Sequence, residues 1–276
     1  MKNRTNSLLQ AVTLLGAAAF LAGCDDSTGP LDPIGPGDTE TFEWSGQLAP
    51  GGTVEIKNLN GNVRILPGVG NEVRVAAVKR GRDDDPSSVR IDVVETAGRV
   101  TVCAVYPDVP GLPANQCLPG ALNGQLSSRH NDVTVKFDVH VPADAEFVGG
   151  TINGDVRADG VSCDVFARTV SGDIDVSTAG LAEGSTTFGD VTASIGGAGW
   201  GRNLEFTAIN GNVSVRIPGN AGAEVWGATL SGSITTDFPL SITGGLHGRQ
   251  MVGTLGSGGP SLRLSTNAGD IALRSN

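Results

Sequence analysis

Large aromatic rings are scarce in this 276-residue chain, which holds three Trp, eight Phe and one Tyr. A core organised around stacked rings is excluded, so small and β-branched side chains must fill the interior. Histidine is scarcer still, and His130, His140 and His247 stand far apart without a shared motif. A Ser-His-Asp triad therefore has no supporting signature, and no carboxylate pair stands out as a glycosidase pair would. Basic residues are outnumbered, 19 Lys plus Arg against 29 Asp plus Glu, giving a formal net charge of −10. An acidic body of this kind repels nucleic acid, so no nucleic-acid partner is expected. Helical periodicity is missing throughout. No apolar run, Leu8–Phe20 included, reaches the length a bilayer requires.

Glycine, by contrast, is abundant at 41 residues. Seven of these glycines sit inside copies of one eight-residue phrase. The copies are Asn58–Ile65, Thr151–Ala158, Thr169–Val176, Thr186–Ala193, Ala208–Val215, Thr229–Thr236 and Thr266–Leu273. Their central glycines are Gly61, Gly154, Gly172, Gly189, Gly211, Gly232 and Gly269. Val or Ile stands two places after each glycine, and a mostly small or apolar residue stands four places after it. Before the glycine the apolar alternation runs backwards through odd offsets, as in Thr169, Ala167 and Val165. A period of two marks a strand with one buried face. The inward parity changes across the glycine, which requires a corner, and glycine supplies the backbone freedom for one.

Each phrase thus reads as strand, corner, strand, with two or three such sides closing one coil. From Gly154 the steps are 18, 17, 22, 21 and 37 residues, the last reading as two rungs with one weak copy. The fold class expected is all-β, a single-stranded β-helix or solenoid with rungs of about 17–22 residues and a less regular N-terminal half. The 93 residues between Gly61 and Gly154 match about five rungs at that spacing. Alternating strands are expected there over Glu72–Val78, Val89–Val94, Val100–Val105 and Val133–Val141. Gly196–Gly201 and Leu240–Gly259 should project as loops, and the last copy should form an end rung that needs a protected edge.

The N-terminus carries an address. Lys2 and Arg4 precede the apolar stretch, and Leu21-Ala22-Gly23-Cys24 follows it. These features resemble the signal sequence and lipobox of bacterial lipoproteins, which implies cleavage after residue 23 and acylation of Cys24. The mature chain would keep 17 basic and 29 acidic residues. Residues 24–41, rich in Pro, Gly and Asp, read as a flexible tether. Residues 42–276 read as one β domain, or as an irregular cap (42–148) on regular rungs (149–276). Cys103 and Cys117 flank a proline-rich excursion, and a disulfide between them would close 15 residues, worth about 3 kcal/mol. Two reduced thiols, or a pairing that uses Cys163, are the alternatives. Cys163 itself reads as an inert, partly buried thiol.

The recurring T-x-x-G-D-[IV] phrase, the strand end Asp138-Val139-His140-Val141-Pro142 and the lipoprotein start resemble the bacterial "putative adhesin" family. That resemblance covers residues 42–276 and implies a right-handed or related β-helix without established catalytic residues. Asp155, Asp173 and Asp190 follow three successive glycines, and Asp270 repeats the pattern at the end. Stacked about 4.8 Å apart, they would form a column suited to Ca²⁺. However, the nine-residue, two-glycine period of Ca²⁺-binding β-rolls is absent. Turn carboxylates that accept from nearby backbone N–H groups are the preferred reading, and no metal or other cofactor is expected. Trp44, Trp200 and Trp226 are candidate platforms for sugar rings, though the preferred reading of Trp200 is a cover folded down over the solenoid. The function expected is a non-catalytic envelope solenoid with a structural, adhesive or binding role, on the periplasmic side or at the cell surface. Its partners would be the membrane through the lipid, a protein or glycan, and a second copy at the solenoid ends. An envelope sensor is the alternative, ahead of a polysaccharide-active enzyme.

Overall fold

The structure is a computed structural model that describes residues 39–120, 127–245 and 248–276. The signal segment, Cys24, most of the tether and His247 lie outside the described residues. The N-terminal part consists of β1 (Thr39–Gln47), β2 (Thr53–Lys57), β3 (Val63–Pro67), β4 (Glu72–Arg80), β5 (Arg90–Thr96), β6 (Arg99–Val105) and β7 (Thr134–Val141). Regular rungs follow as β8 (Glu146–Gly150), β9 (Val156–Val161), β10 (Asp164–Arg168), β11 (Ile174–Thr178), β12 (Ala182–Phe188), β13 (Val191–Ile195), β14 (Leu204–Asn210) and β15 (Val213–Ile217). The chain closes with β16 (Ala223–Ser231), β17 (Ile234–Thr236), β18 (Ser241–Gly245), β19 (Gly248–Leu255), β20 (Ser261–Ala268) and β21 (Ile271–Ser275).

These strands form two sheets. The first runs β1-β4-β7-β3-β9-β11-β13-β15-β21-β17, and the second β18-β19-β16-β20-β14-β12-β10-β8-β2-β6-β5. Each rung lays one strand in the second sheet, turns at the phrase glycine, and lays the next strand in the first. Coils are therefore two-sided. Pairing along the stack is parallel, as in Val63↔Val156, Ile174↔Val191 and Val213↔Ile271. Antiparallel pairs are confined to the two ends: β1 with β4, β4 with β7, β5 with β6, β16 with β19, and β18 with β19.

The core lies between the sheets. Val63, Val156, Ile174, Val191, Val213, Ile271 and Ile234 form one buried row from the first sheet. Facing rows from the second include Val54, Phe147, Val165, Ala182, Leu204, Leu262 and Val225. The gap between the rows is closely filled. A Cβ on Gly184 would meet the Val191 Cγ1 at 2.8 Å.

Four expectations need correction. Gly61 is not five rungs from Gly154 but stacks directly beneath it, because β3 pairs with β9. The intervening residues turn back and build β4 to β7 on the other side of the first rung. The last phrase copy is not an end rung. Its strands are inserted, β20 between β14 and β16, and β21 between β15 and β17. The 37-residue step is consequently one rung with an added hairpin, and Leu240–Gly259 holds β18 and β19 rather than a projecting loop. Among the described residues the outer positions are held by β1, β5 and β18, which are antiparallel to their neighbours, and by the three-residue β17, which leaves only a short open edge.

Candidate functional site

The corner shows why the phrase is spelled as it is. Asn62, Asp155, Asp173, Asp190, Asn212 and Asp270 each accept a backbone N–H from the same position of the adjoining rung. The N–H donors are Asp155, Asp173, Asp190, Asn212, Asp270 and Ser233, at 2.7–3.0 Å. Acceptance from Ser233 holds the Asp270 carboxyl below its ordinary range. The aspartate column is thus a ladder of side-chain-to-backbone bonds. Among the described residues, no three His, Cys, Asp or Glu side chains gather as a metal site. Three places before the glycine, buried Thr169, Thr186, Thr229 and Thr266 donate Oγ1 to the carbonyl oxygens of Gly154, Gly172, Gly269 and Gly211 at 2.8–3.0 Å. The sequence pattern places this threonine on the inward face but does not show its bond. Its regular spacing from the glycine was the available signal.

The glycines themselves meet two demands. At Gly172 φ is +154°, and a Cβ would lie 2.0 Å from the Gly154 oxygen. Equivalent contacts link Gly154 to Gly61, Gly189 to Gly172, Gly211 to Gly189, Gly269 to Gly211 and Gly232 to Gly269. Corner freedom alone would allow an occasional asparagine. Carbonyl-to-Cα stacking allows none. Outside this column Ile152, Val170, Ile209 and Leu230, each two places before its glycine, remain exposed.

A shallow groove of about 400 Å³ crosses the outer face of the second sheet over β8, β10, β12 and β14. Alternation within each strand places Glu55, Val148, Phe166, Glu183, Glu205, Arg263 and Trp226 in one outward row across neighbouring strands. The loop after β13 supplies Arg202, whose guanidinium lies 4.0 Å from the centre of the Phe166 ring. It pairs with Glu146 at 3.2 Å and Glu183 at 3.9 Å. Arg263 repeats the arrangement over Trp226 at 4.1 Å while facing Glu205 at 3.5 Å. Burial raises the pKa of Glu183, partly offset by the charges of Arg202 and Arg168. The groove therefore holds one guanidinium-covered ring, Phe166, bordered by carboxylates and hydroxyls, and the second, Trp226, lies farther along the same outward row.

That loop also bears out the preferred reading of its tryptophan, a cover folded down on the rungs. Trp200 is buried, not a platform, and its Nε1 donates to the Gly197 oxygen at 2.8 Å. The ring anchors the loop and so presents Arg202. Trp226 is half-buried under Arg263, and Trp44 packs half-buried against the core. His140 lies on the outer side of β7 with its Nδ1 3.1 Å from the Pro67 oxygen, and exposed His130 has φ of +55°.

Nearer the N-terminal end, the same outer face is covered. Cys103 on β6 is joined to Cys117 by a disulfide with Cα atoms 5.5 Å apart. The segment it fastens buries Glu55, which accepts from Thr101 Oγ1 at 2.9 Å and Gly120 N at 2.8 Å and pairs with Arg99 and Lys57. Lys57 in turn donates to the Leu118 carbonyl. Cys163 is a free, buried thiol with its pKa pushed up to about 12 by burial.

Stacked two-sided rungs locked through their glycine corners define a β-solenoid whose outer sheet face carries the groove. The chain belongs to the Toastrack DUF4097 family, whose model matches residues 50–274. No curated protein matches it. A crystal structure of a "putative cell adhesion protein" from Clostridium sporogenes is similar over 86% of this chain and 100% of its own, with 11% identity and a TM-score of 0.48. A "putative adhesin" from Bacteroides fragilis is similar over 86% and 97%, with 10% identity and a TM-score of 0.39. A "putative lipid binding protein" from Parabacteroides distasonis is similar over 88% and 98%, with 12% identity and a TM-score of 0.32.

Proposed function

We propose that this chain is a lipid-anchored, non-catalytic solenoid of the cell envelope that binds an extended ligand along the outer face of its second sheet. The observation that carries the reading is the single outward row holding Phe166 under Arg202 and Trp226 under Arg263. Parallel strands repeat about every 4.8 Å, so a linear glycan laid across them meets one side chain of this row at each strand. Buried Phe166 seats the Arg202 guanidinium, whose N–H groups donate to hydroxyls, and half-buried Trp226 adds an aromatic edge for a sugar ring. The flanking Glu183, Glu205, Ser185 and Thr207 provide acceptors and donors for hydroxyls. Acylated Cys24 and the tether after it would hold the rungs to a membrane, and the stiff ladder would present the groove beyond it.

Two measurements test this reading. Phe166→Ala with Trp226→Ala should abolish retention on immobilised envelope polysaccharide while leaving the melting profile of the rungs cooperative. Unaltered retention would remove the groove from the reading. Cys24→Ser should move the chain from the membrane fraction to the soluble one, and continued sedimentation with membranes would remove the lipid anchor.

A further inference from the structure

The inserted C-terminal rung is the feature that the binding reading leaves unused. Strands β20 and β21 come from the last residues of the chain, yet both their edges are paired to strands made earlier. The register on either side is the same. Leu204, Leu262 and Val225 align, as do Ala208, Thr266 and Thr229, and on the first sheet Val213, Ile271 and Ile234. Corner bonds are equally repetitive. Thr266 bonds Gly211 as Thr229 bonds Gly269, and Asp270 stands between Asn212 and Ser233 in the side-chain ladder. The place between rungs β14/β15 and β16/β17 therefore recognises a phrase of this spelling, not a particular chain.

The lead into that place is Gly256-Ser257-Gly258-Gly259-Pro260. Its three glycines have φ of +56°, +77° and +147°. Among its backbone bonds are Gly258 N to Leu255 O at 2.9 Å and Glu224 N to Pro260 O at 3.2 Å. Extended, five residues reach about 17 Å, more than three strand spacings of about 4.8 Å. The far end of the segment is latched by Arg274 to Asp237 at 2.8 Å, Asn276 N to Ile217 O at 3.0 Å and Asn276 Nδ2 to Ile195 O at 2.8 Å. Every one of these partners lies outside the segment, so a second copy supplies them equally well.

We infer that the C-terminal rung, residues 261–276, is an exchangeable element, and that its slot accepts the same segment from a second copy of this chain. Reciprocal exchange conserves each strand pairing, each threonine-to-glycine bond and the Asp270 ladder contacts. The exchanged and unexchanged forms differ only at the glycine-rich lead and in the entropy of association. Copies held close together on one surface would exchange in proportion to their local concentration. The result is a self-adhesive contact buried within the stack, different in kind from two solenoids meeting edge to edge.

The test uses the full chain carrying Thr207→Cys and Ser265→Cys, whose native hydroxyls lie 3.1 Å apart across β14 and β20. Equal amounts of ordinary and ¹⁵N-labelled protein are unfolded together, refolded at rising concentration and oxidised. Mass spectrometry then reads the linked peptides. Exchange predicts linked peptides with one light and one heavy partner, in a share that rises with concentration and appears only in the dimer fraction. Linked peptides that are all light or all heavy at every concentration would overturn the inference. If the 207–265 link does not form, Ser214→Cys with Ala272→Cys gives the same reading from the paired positions on the first sheet. A dimer whose links all stay within one copy would assign self-association to the sheet edges instead.

Discussion

At the residue scale, the phrase is a locking device in which each letter bonds to the rung beside it. Gly172→Ala places a methyl carbon against the Gly154 oxygen and forces an unfavourable backbone conformation. It should cost more than about 3 kcal/mol. Gly199→Ala, with nothing within 4 Å, is the control and should stay within about 0.5 kcal/mol. Chemical denaturation of the two variants checks this contrast. Thr266→Val keeps the shape and leaves the Gly211 oxygen short of a donor, so a loss of about 1 kcal/mol is expected. Glu183 adds a pH dependence. Burial raises its pKa above the ordinary 4.5, so the folded chain holds the proton more tightly than the unfolded chain. The stability from that difference is full below the ordinary value and is lost as pH rises through the raised one. Glu183→Gln should therefore melt above the parent at about pH 7 and converge with it below about pH 4, a pattern read by melting curves across that window.

At the scale of elements, the two irregular segments have different tasks. The stretch that follows β6 is fastened by the Cys103–Cys117 disulfide as a cover over Glu55 and Lys57. Cys103→Ser with Cys117→Ser should lower stability by about 3 kcal/mol on the chain-entropy model. It should also speed proteolysis of that segment well before the rungs are cut. The loop after β13 places an apolar anchor, Trp200, two residues before a presented cation, Arg202. Trp200→Ala should therefore free Arg202 and, on the proposed function, weaken retention on immobilised envelope polysaccharide. Cys163 belongs to the frame: buried in β10's approach, it should resist alkylation until the rungs unfold, as a thiol with a pKa near 12 requires.

At the scale of the molecule, each rung touches only its neighbours, and stability is set by a chain of nearest-neighbour contacts. Amide exchange should be slowest in β9 to β14, which are paired on both sides, and fastest in β17 and β18 at the far edges. Uniform protection along the stack would contradict that order. The composition suits this build, since two-sided coils leave room for valine, isoleucine and alanine but few rings. What the sequence determined by itself is local and periodic. A two-residue alternation that reverses at a glycine dictates strand, corner, strand, and its repetition dictates stacking. The spacing also marked the aspartates as acceptors of backbone N–H groups and the threonines as inward, though not the rung that supplies each partner. The order of rungs was a tertiary decision. Near-identical phrases present near-identical edges, so pattern alone cannot tell which copy pairs with which. Only the lengths and caps of the connecting segments sent the residues after Gly61 backwards and slipped the last copy inside. The groove was decided in the same way, because Phe166, Arg202, Glu183 and Trp226 are separated in sequence and meet only after the strands fix their register.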